Sequence, residues 1–202
     1  MSFACRFLIM NSYMKVVSIV GMAGAGKSEV ARLFADNGFI RIRFGDITDE
    51  EVRKRGLELN EANERRVRET LRQEHGMAAY AKLNLPRIDA ARRDGDVVID
   101  GLYSWEEYLF LKDYYGEDFC IVAVWASPGI RYSRLVGRRY RSLTVDEAVS
   151  RDRAEIENLN KGGPIAMADF IIINEATLES LRETVRKVIV KVGNGKKKTD
   201  QA

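Results

Sequence analysis

The chain has 202 residues, 46% hydrophobic and 31% charged, with a formal net charge of +3, which suits one soluble domain with a substantial core. The lysines in the tail Lys196-Lys197-Lys198 can supply all of that excess, so a nucleic-acid coat protein is not favoured. Cys5 and Cys120 cannot build a disulfide framework and no apolar run reaches the ~18 residues that cross a bilayer, so a reducing, cytoplasmic setting without a membrane partner is expected.

Residues 1–14 carry an apolar patch but one basic side chain and no small-residue cleavage site, and read as a loose arm or an over-called start. The runs "VVSIVG" (16–21), "VVID" (97–100), "CIVAVW" (120–125) and "FIIIN" (170–174) are continuous and β-branched, the pattern of strands covered on both faces. "FIRIRF" (39–44) alternates with period two and reads as a strand nearer the sheet edge. Helical patterns occupy 27–37, 46–56, 60–75, 77–93, 104–115, 128–138, 144–159 and 177–192. Strand followed by helix, repeated, predicts an open parallel α/β sheet with helices on both faces, in one domain over 15–192. The long interval between Phe44 and Val97 predicts an inserted helical region, 46–93, that closes over a ligand or merely covers the sheet. Residues 193–202 read as a basic, disordered tail.

Gly21-Met22-Ala23-Gly24-Ala25-Gly26-Lys27-Ser28 fits G-x-x-x-x-G-K-[ST] between a predicted strand and a predicted helix. Glycines there let several amides converge on one point, and the helix adds its positive end. Such a loop cradles phosphates: Lys27 reaches the outer ones, Ser28 holds Mg²⁺, and Glu29 follows directly. ATP with Mg²⁺ is therefore the expected cofactor pair. A GTPase would carry N-K-x-D, which "NKGG" (160–163) lacks, and the D-x-x-G at Asp113–Gly116 ends a helix. A motor ATPase would be longer, which leaves a small phosphotransferase.

The spacing in "GMAGAGKS" resembles that of adenylate kinase and related nucleotide kinases. "FGDITDEEVRKRG" is similar to the segment opening their acceptor-binding helices, "VVIDG" to their strand ending in Asp-Gly, and "RLVGRR" (134–139) to the run entering their lid. "ADFIIINEATLESLRETV" (168–185) looks more like the end of dephospho-coenzyme A kinases. Residues 15–190 together resemble a largely archaeal group of P-loop proteins related to both enzymes. The resemblance implies the three-layer P-loop NTPase fold, with a five-stranded parallel sheet, an acceptor-binding insert and a short lid over 138–153. It also implies ATP and a small nucleotide-like acceptor as partners, with oligomeric state left open.

On that resemblance Asp100 holds Mg²⁺ through water, or simply caps a turn. Arg134 and Arg138, four apart on one helix face, neutralise charge on the transferred phosphoryl group, or form a solvated basic face. Asp46 orients an acceptor hydroxyl, sits near the metal, or caps its helix. Arg139, Arg141, Arg151 and Arg153 flank the lid; "RDR" supplies closing arginines, or lies on an exposed helix beside Glu155 and Glu157. Where adenylate kinases place the two arginines that clamp AMP, this chain has Asp49 and Ser104, so the clamp does not carry over. Arg53, Arg65, Arg68 and Arg87 bind another phosphorylated acceptor, or pair with nearby glutamates, and His75 reads as a helix-end residue. The leading reading is transfer of the γ-phosphate of ATP to a nucleoside monophosphate or dephospho-coenzyme A. The alternative is a nucleotide-binding regulator or slow ATPase whose arginine-rich insert grips a protein or RNA.

Overall fold

A computed structural model describes residues 14–139 and 141–194. The expected arm (1–13) and most of the expected tail (195–202) lie outside them. Five strands, β1 Val16–Val20, β2 Ile40–Arg43, β3 Val97–Asp100, β4 Phe119–Trp125 and β5 Phe170–Ile173, pair in the order β2-β3-β1-β4-β5. Every pairing is parallel. The helices among the described residues are α1 Lys27–Asp36, α2 Asp46–Lys54, α3 Glu61–His75, α4 Ala79–Ala91, α5 Trp105–Tyr115, α6 Pro128–Val136, α7 Val145–Glu157, α8 Gly162–Ala166 and α9 Leu178–Asn194. None is long and apolar enough to cross a membrane.

The sheet forms because its central strands bury both faces. Every residue of β1 is buried, and so is every residue of β3. One face packs Val16, Val20, Ile99 and Ile121 against Tyr80 of α4 and Leu111 of α5. The other packs Val17, Ile19, Val98 and Val122 against Phe34 of α1 and Val185 of α9. Phe34 is fully buried and meets Phe39 edge-on at 5.1 Å. Burial of such a side chain contributes about 1.5–3 kcal/mol. These two clusters give the three layers. Turn chemistry sets the helix starts: Asn60 accepts from the Asn63 amide, Ser104 from that of Glu107, and Thr144 and Glu147 form a reciprocal capping box.

β2 lies at one edge, as its alternation predicts. β5 is the other edge and departs from the reading of a strand covered on both faces: Ile171 and Ile173 are each 64% exposed. Ile172 enters the second core cluster with Phe170 packed partly buried against it, while Ile171 and Ile173 alternate onto the exposed face of this edge strand. A 3₁₀ turn, Gly116–Asp118, leads into β4, and α8 forms where the sequence reading placed no helical pattern. α9 runs through Asn194, past the expected start of the tail. Three helices, α2 to α4, fill the interval between β2 and β3. The chain leaves β1 toward β2 on one side, and β4 and β5 add on the other. The crevice at the carboxyl ends of β1, β3 and β4 is where open α/β sheets bind ligands.

Candidate active site

The turn after β1 is shaped by three glycines with positive φ, Gly21 (149°), Gly24 (81°) and Gly26 (99°). A Cβ on Gly21 would lie 2.3 Å from the Val124 carbonyl oxygen, one on Gly24 2.6 Å from that of Arg131, and one on Gly26 2.3 Å from Asn174 Nδ2. The glycines therefore serve packing against β4, α6 and the β5–α9 loop as well as access for a ligand. Among the described residues the amides of Gly24, Gly26, Lys27 and Ser28 donate to no other group. They lie where the loop enters α1, and that arrangement makes an anion cradle. Lys27 Nζ donates to the Met22 carbonyl at 3.0 Å. Asn174 Nδ2 ties the loop down through the Ala25 carbonyl at 2.8 Å. Ala23 is buried against Leu135 and Ala148. Glu29, counted with the loop in the sequence, stands apart: its amide goes to the Gly26 carbonyl and its carboxylate to Arg32.

Asp100 ends β3 almost completely buried. Ser28 Oγ donates to its Oδ1 at 3.2 Å, and Arg41 pairs with its Oδ2. Two hard oxygen ligands side by side suit Mg²⁺, which takes one or two protein ligands and completes its shell with water and phosphate. Among the described residues no three His, Cys, Asp or Glu side chains cluster as a metal cage, so phosphate oxygens would have to supply part of the shell. Arg41 has no counterpart in the sequence reading.

Asp46 is the first residue of α2, and Gly45, not Asp46, occupies the cap position. Arg43 Nη1 donates to Asp46 Oδ1 at 2.7 Å and to Asp49 Oδ2 at 2.8 Å. The Asp46 side chain keeps 46% of its surface exposed. Asp49 and Ser104, at the AMP-clamp places, are both engaged: Asp49 with Arg43, and Ser104 Oγ with the Met77 carbonyl at 2.8 Å.

Arg134 and Arg138 do not share a helix face as the spacing predicts, because α6 ends at Val136 and Arg138 follows its cap residue Gly137. Arg134 Nη2 donates to the Asn174 carbonyl at 2.9 Å, and its Nη1 is buried with no partner, an orphaned donor beside the P-loop. Arg138 has no carboxylate partner among the described residues; burial and the charges of Arg151 and Arg141 lower its pKa. Arg141 pairs with Glu64 of α3 and so joins the connection between α6 and α7 to the helices between β2 and β3.

Of the other insert cations, Arg65 pairs with Glu69, Arg68 with Glu61 and Arg87 with Glu50. His75 ends α3.

The sequence reading missed a buried charge cluster. Asn160 adopts a left-handed φ of 49° after α7, and Gly163 packs where a Cβ would strike the Trp105 ring at 2.6 Å. That turn drives Lys161 inward until it is 1% exposed. Its Nζ meets Glu155 Oε2 at 2.8 Å and lies 5.8 Å from the centre of the Tyr103 ring. Glu155 Oε1 accepts from Arg151 Nε at 3.2 Å. Glu155 is thus buried, not on the exposed helix face that one reading of "RDR" gave it. Burial and the neighbouring Lys161 charge bring the Lys27 pKa down to about 7, against the opposing pull of Glu155. Behind Tyr103, Glu107 is buried with Oε1 unpartnered, and burial pushes its pKa up to about 7.

A glycine cradle at a helix N-terminus, a lysine inside it and a Ser–Asp pair at the end of the adjacent strand define a P-loop protein of kinase-like fold. The family described as AAA domain matches residues 17–158. The chain belongs to the UPF0200 family. A UPF0200 protein of Thermococcus onnurineus is 35% identical over 88% of this chain and 97% of its own length. One from Thermococcus kodakarensis is 38% identical over 86% and 96%. Among solved structures, a shikimate kinase from Acinetobacter baumannii in complex with shikimate superposes with a TM-score of 0.57 at 15% identity, over 91% of this chain and 96% of that one. A gluconokinase from Sinorhizobium meliloti 1021 gives 0.55 at 15% identity, over 90% and 93%. At that identity the likeness establishes the fold.

Proposed function

We propose that the protein transfers the γ-phosphate of ATP, as its magnesium complex, to the hydroxyl or phosphate of a small nucleotide-like acceptor. The observation that carries this reading is the joint presence of the amide cradle around Lys27 and the Ser28–Asp100 pair at the ends of β1 and β3. The residues of the cradle, Gly21 to Ser28, would hold the triphosphate, with Ser28 and Asp100 as the protein ligands of Mg²⁺. The metal, when bound, offsets charge on the outer phosphates.

Arg134, fixed on Asn174 with one unpaired donor, would border the nucleotide, and Arg138 would face the phosphates from the lid. Asp46, anchored on Arg43, would orient an acceptor hydroxyl from the mouth of the 46–93 region. Little covalent chemistry is left to the protein in phosphoryl transfer, so positioning and electrostatics carry the rate.

With Asp49 and Ser104 already engaged, the acceptor is better described as a hydroxyl compound than as AMP. Dephospho-coenzyme A fits that description, and the kinase neighbours add small hydroxy acids of the shikimate and gluconate type. ADP release measured over a panel of nucleoside monophosphates, dephospho-coenzyme A and hydroxy acids tests the assignment. One acceptor should stimulate turnover, and Lys27→Ala should lower it by about 10²–10³-fold. No acceptor raising the rate above that of the Lys27→Ala protein would end the proposal.

A further inference from the structure

The two edges of the sheet are guarded unequally. β2 carries Arg41 and Arg43 at one edge, and charge on an edge strand keeps other chains from adding to it. β5 closes the other edge with Phe170, Ile171, Ile172 and Ile173, a strand without charge or proline. Ile171 and Ile173 are largely exposed, and Trp125, which pairs with Ile173 in the register, is 46% exposed beside them. An uncharged, apolar edge of this kind is a template for another strand.

The backbone of β5 says which strand. The Asn174 amide donates to the Trp125 carbonyl at 2.8 Å, so the main-chain groups of Asn174 and, by alternation, of Ile172 point at β4. Those of Ile171 and Ile173 point away from β4 and, among the described residues, meet no other group. Two outward residues flanking one inward residue are self-complementary about a two-fold axis through Ile172. An antiparallel copy sets Ile171 opposite the partner's Ile173, and Ile173 opposite the partner's Ile171, and each pair exchanges both of its main-chain hydrogen bonds. Ile172 faces α9, so the outward side chains lie on the other face, where Trp125, Ile173 and the partner's Ile171 form one apolar band.

We propose that β5 pairs antiparallel with β5 of a second copy of this chain, joining the two sheets about a two-fold axis at Ile172. β4 stands between β5 and the P-loop strand β1, so the pairing leaves both cradles open, at opposite ends of the joined sheet. The three side chains bring on the order of 300 Å² of apolar surface from each copy, against ~800 Å² in a standard interface, which makes the association weak and exchanging, with a dissociation constant on the order of 10–100 µM.

Sedimentation velocity on the full chain from about 2 to about 500 µM should follow the change from monomer to dimer. Ile171→Lys puts a charge on the edge and should weaken association by about 20-fold or more, whereas Leu59→Lys, on the exposed connection between α2 and α3, should leave it within about twofold. Because Ile171 is exposed, its variant should keep the wild-type melt when dilute. Should it fail to fold, Ile173→Thr, which stays β-branched, should weaken association by about fivefold. Cysteine exchange reads the register, in a Cys5→Ser, Cys120→Ala background. Chains with Ile171→Cys and chains with Ile173→Cys, mixed under mild oxidation, should cross-link to each other, because opposed hydrogen-bonded residues stand about 5.5 Å apart at Cα, within disulfide reach. Either chain alone should stay largely uncross-linked.

A wild type that remains monomeric throughout would overturn the pairing and leave the edge to a strand of another protein. Association undiminished in Ile171→Lys, or single-cysteine chains that cross-link as well alone as mixed, would overturn it too.

Discussion

Arg131 grips Asp152 with both ends of its guanidinium, at 2.8 and 2.6 Å, and the same side chain donates to the carbonyls of Ala23 at 3.1 Å and Ala126 at 3.0 Å. One buried fork thus ties α7, the P-loop and the end of β4 together. Tyr132 completes it by donating to Asp152 Oδ2 at 2.9 Å. Arg131 is only 5% exposed, so its guanidinium relies on these protein partners in place of bulk solvent.

Asp152→Ala should therefore destabilise the fold by about 3–5 kcal/mol, the cost of leaving one partner of a buried pair uncompensated. Urea denaturation measures this. The same variant should weaken nucleotide binding, since Ala23 loses the wall behind it. A loss below about 1 kcal/mol would mean that Arg131 finds another partner and that α7 does not brace the loop.

Gly21 meets two constraints at once. Its φ of 149° is unfavourable for a side chain, and a Cβ would stand 2.3 Å from the Val124 carbonyl oxygen, which belongs to β4 and cannot move alone. Gly21→Ala should cost about 2–4 kcal/mol. Gly38 offers the control, with φ 94° and no atom within 4 Å of a built Cβ. Gly38→Ala should cost only about 1–2 kcal/mol, from backbone strain alone. Thermal melts of the two variants compare them, and equal losses would refute the role assigned to the collision with Val124.

What the sequence revealed follows from where each signal is stored. The P-loop is legible because its chemistry is contiguous: eight residues carry the glycines, the lysine and the hydroxyl, and flanking β-branched and helical patterns fix its place. The strands are legible for the same local reason. β5 departs from its reading because "FIIIN" has the composition of a strand covered on both faces, whereas the fold places it at the sheet edge with Ile171 and Ile173 exposed. α8, with Gly162, Gly163 and Pro164 in five residues, has too little periodicity to announce a helix. Lys161, Glu155 and Arg41 stayed hidden because each acquires its meaning from a partner brought by the fold. Arg41 lies 59 positions from Asp100, and Lys161 approaches the site only through the turn at Asn160. The left-handed Asn and the paired glycines of "NKGG" were the available signal for that turn.

Lys27 links the site to pH. Enclosure of its ammonium and the positive charge of Lys161 bring its pKa to about 7 from an ordinary 10.5. Between those values the unfolded chain carries a proton that the folded protein lacks, so this residue's contribution to stability rises with pH from 7 to 10.5. Below pH 7 the folded protein bears the cost of a cation partly withdrawn from water. Lys27→Met should thus be more stable than wild type at pH 7, and the difference should shrink toward pH 10. A bound triphosphate reverses the preference, because its charge favours the ammonium form. Nucleotide binding should then take up a proton above pH 7, and affinity should fall as pH rises, by up to about tenfold per unit. Titrations at pH 8 in two buffers of different ionisation enthalpy detect that proton directly. Identical heats in the two buffers, with binding intact, would show that Lys27 is already charged in the free protein and that the cations around it do not depress its titration.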